Sequence, residues 1–295
     1  MMAHADKTRG LALNPNMSLD EAIKLMSSDM LALTRPVVGK STKRIGEALN
    51  AYYDNLEGMR EGRLQKRGVP TGYRDLDVFT GGYQRGEVTL VGGRTGAGKT
   101  PFLVGSMLEG ARLGLRTIFV SLERSRDQII EILLSMETGI PTDKMRNNEL
   151  TDGEYERIVE AMGRLGSLSM HIIDAEDLEG EFMTPQQLAL RVEQIALETG
   201  VDTLFVDYMQ LLWAGEGYET ESARNIAACA WRLKALCKRL DCAGVAASQY
   251  NRTLTKTNKR PTLNFLHGGS GLEKSASLVL HIYDDETEQA REIIV

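Results

Sequence analysis

The sequence predicts an α/β fold: a mostly parallel central sheet flanked by helices and preceded by a short α-helical arm. Three observations carry that prediction. From Val69 onward, short β-branched and aliphatic runs alternate with amphipathic helical stretches, the pattern of strand–helix–strand units. A glycine-rich stretch from Gly93 to Thr100 sits between an apolar run and a helical one. Three further apolar runs end in Glu123, Asp207 and Gln249, where a parallel sheet presents side chains to a ligand.

Composition narrows the classes. The chain has 295 residues, of which 42% are hydrophobic and 26% charged, an ordinary mix for a globular protein with a sizeable core. Thirty-five Lys and Arg against 41 Asp and Glu leave a net charge of −6, which argues against a general basic coat but allows a local basic patch. No apolar run approaches the ~20 residues of a membrane span. The start, Met1-Met2-Ala3-His4-Ala5-Asp6, lacks the apolar segment of a secretory signal. Cys229, Cys237 and Cys242 are odd in number and lack metal-site spacing, so reduced thiols and a cytoplasmic location are expected.

Taken in order, the first elements are helical. Ser18-Leu19-Asp20-Glu21 reads as a capping box, followed at helical spacing by Ile23, Met26, Met30 and Leu33. After Pro36 and Gly39, a second run places Ile45, Leu49, Tyr52, Leu56 and Met59 on one face. Helices this short need a partner surface for such a face. Residues 1–65 therefore form a helical arm, and the α/β domain spans 66–295. Its strands are expected at Glu87–Gly92, Thr117–Leu122, His171–Ile173, Thr203–Asp207, Gly244–Ser248 and Leu278–Tyr283. Thr151-Asp152-Gly153-Glu154 and Thr184-Pro185-Gln186-Gln187 are capping boxes that start helices between them.

Gly93-Arg94-Thr95-Gly96-Ala97-Gly98-Lys99-Thr100 matches the phosphate-binding pattern G-x-x-x-x-G-K-[ST]. The glycines let backbone N–H groups turn inward around the phosphates of ATP. Lys99 is placed to neutralise the β and γ phosphates, and the Thr100 hydroxyl to ligate Mg²⁺. Pro101 removes an N–H that would face the α-phosphate, a loss of about 1 kcal/mol in binding. Asp207, at the end of Thr203-Leu204-Phe205-Val206-Asp207, is the second candidate metal ligand. Glu123 ends a similar strand, where a carboxylate polarises an attacking water. Gln249 ends a third, with an amide that hydrogen-bonds the γ-phosphate. A P-loop strand followed by strands ending in Glu, Asp and Gln fits a RecA-like core better than a kinase, for which no Arg-rich lid is evident.

Asn251 to Arg260 contains Arg252, Lys256, Lys259 and Arg260 and no acid, directly after the Gln249 strand. His267-Gly268-Gly269 follows, a flexible stretch with backbone N–H groups free for phosphates. Cations in this number suit a few nucleic-acid phosphates, although composition alone favours a solvated loop. His171, His281, Tyr208, Trp213 and Trp231 read as packing residues.

These residues resemble the DnaB-type replicative DNA helicases. The likeness runs from Val69-Pro70-Thr71-Gly72-Tyr73 through Gly81-Gly82-Tyr83-Gln84-Arg85-Gly86 into the P-loop. It resumes at Phe119–Glu123, Val206–Leu212, Ser248-Gln249, Lys259-Arg260-Pro261 and Leu272–Val279. The resemblance implies a hexameric ring of RecA-like domains that hydrolyses ATP between subunits and translocates 5′-to-3′ on single-stranded DNA. Primase and a helicase loader are the implied partners. Carried over by position, Lys99 and Thr100 bind phosphate and Mg²⁺, Glu123 activates water, Asp207 orders the metal and Gln249 couples the γ-phosphate to the DNA loops. Residues 41–60 resemble the linker helix that packs on the adjacent subunit.

The sequence departs from the family in three places. His267-Gly268-Gly269-Ser270 stands where the family usually has Arg-Glu-Ser-Gly, which favours backbone over side-chain contact with DNA. Most of the N-terminal primase-contacting region has no counterpart. The Lys-x-Arg arginine finger of the family follows a last strand that here reads Glu292-Ile293-Ile294-Val295, so the domain is expected to end before it. A recombinase-like strand-exchange ATPase and a non-catalytic, nucleotide-regulated DNA-loading adaptor are the competing readings.

Overall fold

A computed structural model of the chain describes residues 44–61, 68–174, 183–219, 222–250, 260–266, 272, 274–285 and 290–295. It falls into two units, Met1–Gln65 and Lys66–Val295, each taken by itself here. In the first unit, helix α1 (Ile45–Arg60) forms where the apolar spacing predicts it. Ile45, Leu49, Tyr52 and Leu56 are all exposed, so the stripe is built but uncovered. The capping box at Ser18 and the run from Ile23 to Leu33 lie outside the described residues.

The second unit opens with β1 (Gly68–Val69), which pairs antiparallel with β2 (Tyr83–Gln84) around the short helix α2 (Arg74–Thr80). Next come β3 (Val88–Gly93), α3 (Lys99–Arg112), β4 (Thr117–Ser121), α4 (Arg126–Thr138), α5 (Thr142–Arg146) and α6 (Asp152–Gly166). The chain continues through β5 (Met170–Asp174), α7 (Pro185–Thr199), β6 (Thr203–Asp207), α8 (Ala223–Leu240), β7 (Ala243–Gln249), β8 (Leu278–Asp285) and β9 (Ala290–Ile294). The main sheet has seven strands in the order β5-β4-β6-β7-β3-β8-β9. All its pairings are parallel except β8–β9. This is the α/β architecture expected from the sequence.

Successive residues on a strand point to opposite faces, and that alternation splits the core in two. Val88, Leu90, Ile118, Val120, Leu204, Val206 and Ala246 meet α7 and α8 through Leu188, Val192, Ile226, Ala230 and Leu233. Their neighbours Val91, Phe119, Phe205, Val245, Ala247 and Leu280 meet α3 and α4 through Leu103, Met107, Ile129 and Leu133. Every residue of β3, β4 and β6 is buried, which explains why these strands read as unbroken apolar runs.

At the amino ends of the strands, Asp202 gathers four donors. Arg85 Nη2 donates at 2.6 Å, Arg116 Nε at 2.7 Å, and Arg116 Nη2 and its backbone N–H both at 3.0 Å. Burial pushes this carboxyl up, but the Arg116 and Arg85 donors outweigh it and hold it well below the usual carboxylate range.

The two sequence-read capping boxes that fall among the described residues form, Thr151 with Glu154 and Thr184 with Gln187, and an unread one forms between Ser125 and Gln128. Strand ends differ modestly from expectation. β3 begins and ends one residue later, because Gly93 still has partners in Gln249 and Ile282. β8 extends to Asp285 because β9 pairs along it. Trp231 corrects the packing assignment: it is 52% exposed on α8, with the Lys234 ammonium 5.9 Å from its ring centroid. His281 is buried, as read, and its Nδ1 lies 2.9 Å from the Tyr250 hydroxyl.

Candidate functional site

Strand order builds the site. β4, β6, β7 and β3 are consecutive neighbours, and their carboxyl ends carry, or directly precede, Glu123, Asp207, Gln249 and the P-loop. Register levels them: Ser121 is opposite Asp207, and Gln249 is opposite Gly93. With strands spaced about 4.8 Å apart, the row spans roughly 15 Å, the scale of a bound nucleotide. Residues 150 positions apart in sequence thereby share one edge.

The P-loop leaves β3 at Gly93 and enters α3 through Gly98, whose φ of 98° lies in the left-handed region that a side chain disfavours. Arg94, Thr95, Gly96 and Ala97 form the turn between them. Lys99 is buried, and its Nζ donates to the carbonyls of Gly93 (3.1 Å) and Arg94 (2.9 Å). Burial lowers the Lys99 ammonium from its ordinary value, while Asp207 and Glu123 pull it back up. Pro101 falls in the first turn of α3, where its missing N–H breaks no helical hydrogen bond. Beneath the loop, a Cβ on Gly92 would stand 2.7 Å from Leu266 Cδ2 and 3.0 Å from Tyr250 Cε1, so this rung admits only glycine without movement.

The Thr100 hydroxyl donates to Asp207 Oδ2 at 2.6 Å. Asp207 is 1% exposed, and desolvation raises its pKa despite the Thr100 hydrogen bond and the nearby Lys99 and Arg124 charges. Glu123 adds to that upward push from the neighbouring strand, within electrostatic reach of both Asp207 and Lys99. Its own side chain is exposed, hence open to a solvent molecule. The hydroxyl and carboxylate are hard oxygen donors of the kind Mg²⁺ takes, together with phosphate oxygens and water. Among the described residues no group of three or more His, Cys, Asp or Glu could cage a metal.

Two residues that sequence reasoning missed also belong here. Arg124 follows Glu123, its carbonyl held by the Ser121 hydroxyl at 2.6 Å, and its Nε is buried with no partner among the described residues. A cation directly after the acid that follows β4 was a visible signal. Gln210 lies in the 3₁₀ turn Met209–Leu211 after β6 and bonds the end of β7; its partners are three-dimensional neighbours that no local pattern announces. Beside the loop, Tyr250, Pro261, Phe265 and Tyr283 pack together with Arg94 at their edge, leaving a space of only about 10 Å³.

Of the candidate DNA contacts, only Arg260 falls among the described residues. It is exposed and forms an ion pair with Glu292 on β9. Arg252, Lys256, Lys259, His267, Gly268 and Gly269 lie outside them. Their two flanks meet: Tyr250 pairs with Leu266 in an isolated antiparallel bridge.

A glycine-rich loop at the end of β3, with a buried lysine and a threonine bonded to a strand-ending aspartate, defines a P-loop nucleotide-binding site on a doubly wound sheet. The chain belongs to the DnaB-like helicase C terminal domain family, whose model matches residues 68–294. The replicative DNA helicase DnaB of Geobacillus stearothermophilus is 26% identical over 246 residues, 83% of this chain and 53% of that protein. Its counterpart in Helicobacter pylori is 26% identical over 292 residues, 97% of this chain and 58% of the relative. The chain thus spans little more than half the length of these relatives. Among solved structures, a DnaB-like replicative helicase described with its interactions with primase has a TM-score of 0.79 at 19% identity, over 99% of this chain and 71% of that one. An ATPase domain has a TM-score of 0.74 at 24% identity, over 84% and 86%. At these identities the structures establish the RecA-like fold alone.

Proposed function

We propose that this chain is the ATP-hydrolysing motor of a replicative DNA helicase, working as a homohexameric ring on single-stranded DNA in the cytoplasm of a bacterial or phage-infected cell. The observation that carries the proposal is the 2.6 Å bond from Thr100 to Asp207 at the mouth of the P-loop, on a sheet edge shared with Glu123 and Gln249. Family membership supplies the nucleic-acid context.

The residues divide the work. Backbone N–H groups of residues 93–100 cradle the ATP phosphates, and Lys99 exchanges its two carbonyl partners for phosphate oxygens, a stronger charge-assisted pairing. Thr100 and Asp207 hold Mg²⁺, which when bound supplies positive charge to the phosphates. Glu123 accepts a proton from the attacking water as the bond between the γ-phosphorus and its bridging oxygen breaks. Gln249 reads the γ-phosphate. Arg252, Lys256 and Lys259, with the backbone at His267, Gly268 and Gly269, face DNA in the ring. Arg260 shares its charge with Glu292 and contributes less.

The exposed stripe of α1 supports assembly, since a neighbouring subunit would cover Ile45, Leu49, Tyr52 and Leu56. Primase and a loader then join through the assembled ring. Among the described residues no helix is long and apolar enough to cross a membrane. Native mass measurement with ATP tests the proposal. A closed species of six chains is expected, whereas open filaments of variable length would favour a recombinase-like ATPase.

A further inference from the structure

The sheet ladder between β6 and β7 stops at the Val206–Ala246 pair, three residues short of Gln249. On the other side, Gln249 remains in register with Gly93 of β3. On the β6 side a side chain takes the place of the missing strand. Gln210 Oε1 accepts from the Gln249 N–H at 3.4 Å, and Gln210 Nε2 donates to the Gln249 carbonyl at 3.5 Å. The same Nε2 donates to the buried Ser248 hydroxyl at 2.9 Å. A carboxamide carries the donor and acceptor of a peptide group, so it answers both backbone groups of one residue as a neighbouring strand would.

Resting on the hydrolytic role given above to Gln249, we propose that Gln210 is a positioning residue: its amide is a detachable rung that sets Gln249 against the γ-phosphate. Gln210 follows Asp207 by three residues, in the turn that leaves β6, so it links the strand that ends in Asp207 to the strand that ends in Gln249 directly. The two bonds to the Gln249 backbone are at the long end of the hydrogen-bond range, while that to Ser248 is ordinary. Gln249 can therefore shift when the γ-phosphate departs while the amide stays anchored on Ser248, and the sheet below Ala246 need not deform. Loss of the rung leaves the phosphate cradle intact, so ATP affinity should survive while turnover falls.

The test is a double-mutant cycle on the full chain with ATP turnover as readout. Gln210→Ala is expected to lower kcat about ten-fold, as the loss of one or two weak hydrogen bonds would, with KM for ATP unchanged within about two-fold. In a Gln249→Ala background, where no side chain remains to be positioned, adding Gln210→Ala should lower turnover no further. A merely structural Gln210 would cost the same factor in both backgrounds, and that additivity, or a rise in KM without loss of kcat, overturns the proposal. Lys99→Ala runs alongside. If turnover does not depend on Lys99, the hydrolytic reading itself has failed; if it does and the cycle is additive, only the role of Gln210 has.

Discussion

Replacing Asp207 by Asn should make the protein more stable and inactive at once. Asp207 is 1% exposed, and burial raises its carboxyl above its ordinary value of 3.8, with Glu123 adding to the push. A group whose folded pKa is raised contributes most below its unfolded pKa and loses that contribution as pH rises through the folded value. At neutral pH the ionised carboxylate is therefore a burden on the folded state. Asn keeps the shape and the oxygen that accepts from Thr100, and removes the charge. Stabilising changes of this kind are worth about 1 kcal/mol, which raises Tm by roughly 2–4 °C in a domain of this size. The assay is thermal unfolding of both proteins at pH 7.5 and at pH values stepping down towards 3, without nucleotide. The advantage of Asp207→Asn should shrink as pH falls and vanish below about 3.8, where both states of the wild type hold the proton. With Mg²⁺ and ATP the order should reverse, because only the wild type gains from the bound metal. A variant no more stable than wild type at pH 7.5, or an advantage that persists at the lowest pH, would refute the reasoning.

Three further outcomes follow from the same geometry. Pro101→Ala restores an N–H in the first turn of α3 and should tighten ATP binding about five-fold, the worth of one hydrogen bond; a titration giving unchanged affinity would contradict that. Gly244→Ala puts a Cβ 2.7 Å from Cys237 Sγ and 3.3 Å from the Glu87 carbonyl, so overpacking should cost about 1–3 kcal/mol in denaturant unfolding, and a neutral result would place a gap there. Asp202→Asn loses the charge that four donors hold, and should cost about 2 kcal/mol at neutral pH. Because the Asp202 pKa is depressed, its contribution is present above the ordinary value and fades as pH falls, so wild type and variant should converge in acid unfolding; parallel curves would count against it.

What the sequence disclosed followed the range of each interaction. β6 was bounded to the residue, since a fully buried parallel strand is a continuous apolar run ended by its acid. The P-loop and two capping boxes were equally plain, being patterns that close within a few residues. α1 matched its periodicity even though its apolar face is uncovered in this chain. The order β4-β6-β7-β3 was not legible, because pairing partners such as Val88 and Gly244 lie 156 residues apart and periodicity carries no record of them. Gln210 escaped for the same reason: its amide matters only once β7 lies beside it. Trp231 misled because bulk suggests packing, whereas its place on α8 leaves it half exposed beside Lys234.

The central claim is that the edge holding Lys99, Thr100, Glu123, Asp207 and Gln249 hydrolyses ATP in response to DNA. Steady-state ATP turnover by the full chain, with and without single-stranded DNA, tests it most directly when run beside Lys99→Ala. The account predicts turnover that DNA stimulates several-fold and that the substitution abolishes. Turnover indifferent to DNA, or surviving in Lys99→Ala, would contradict it.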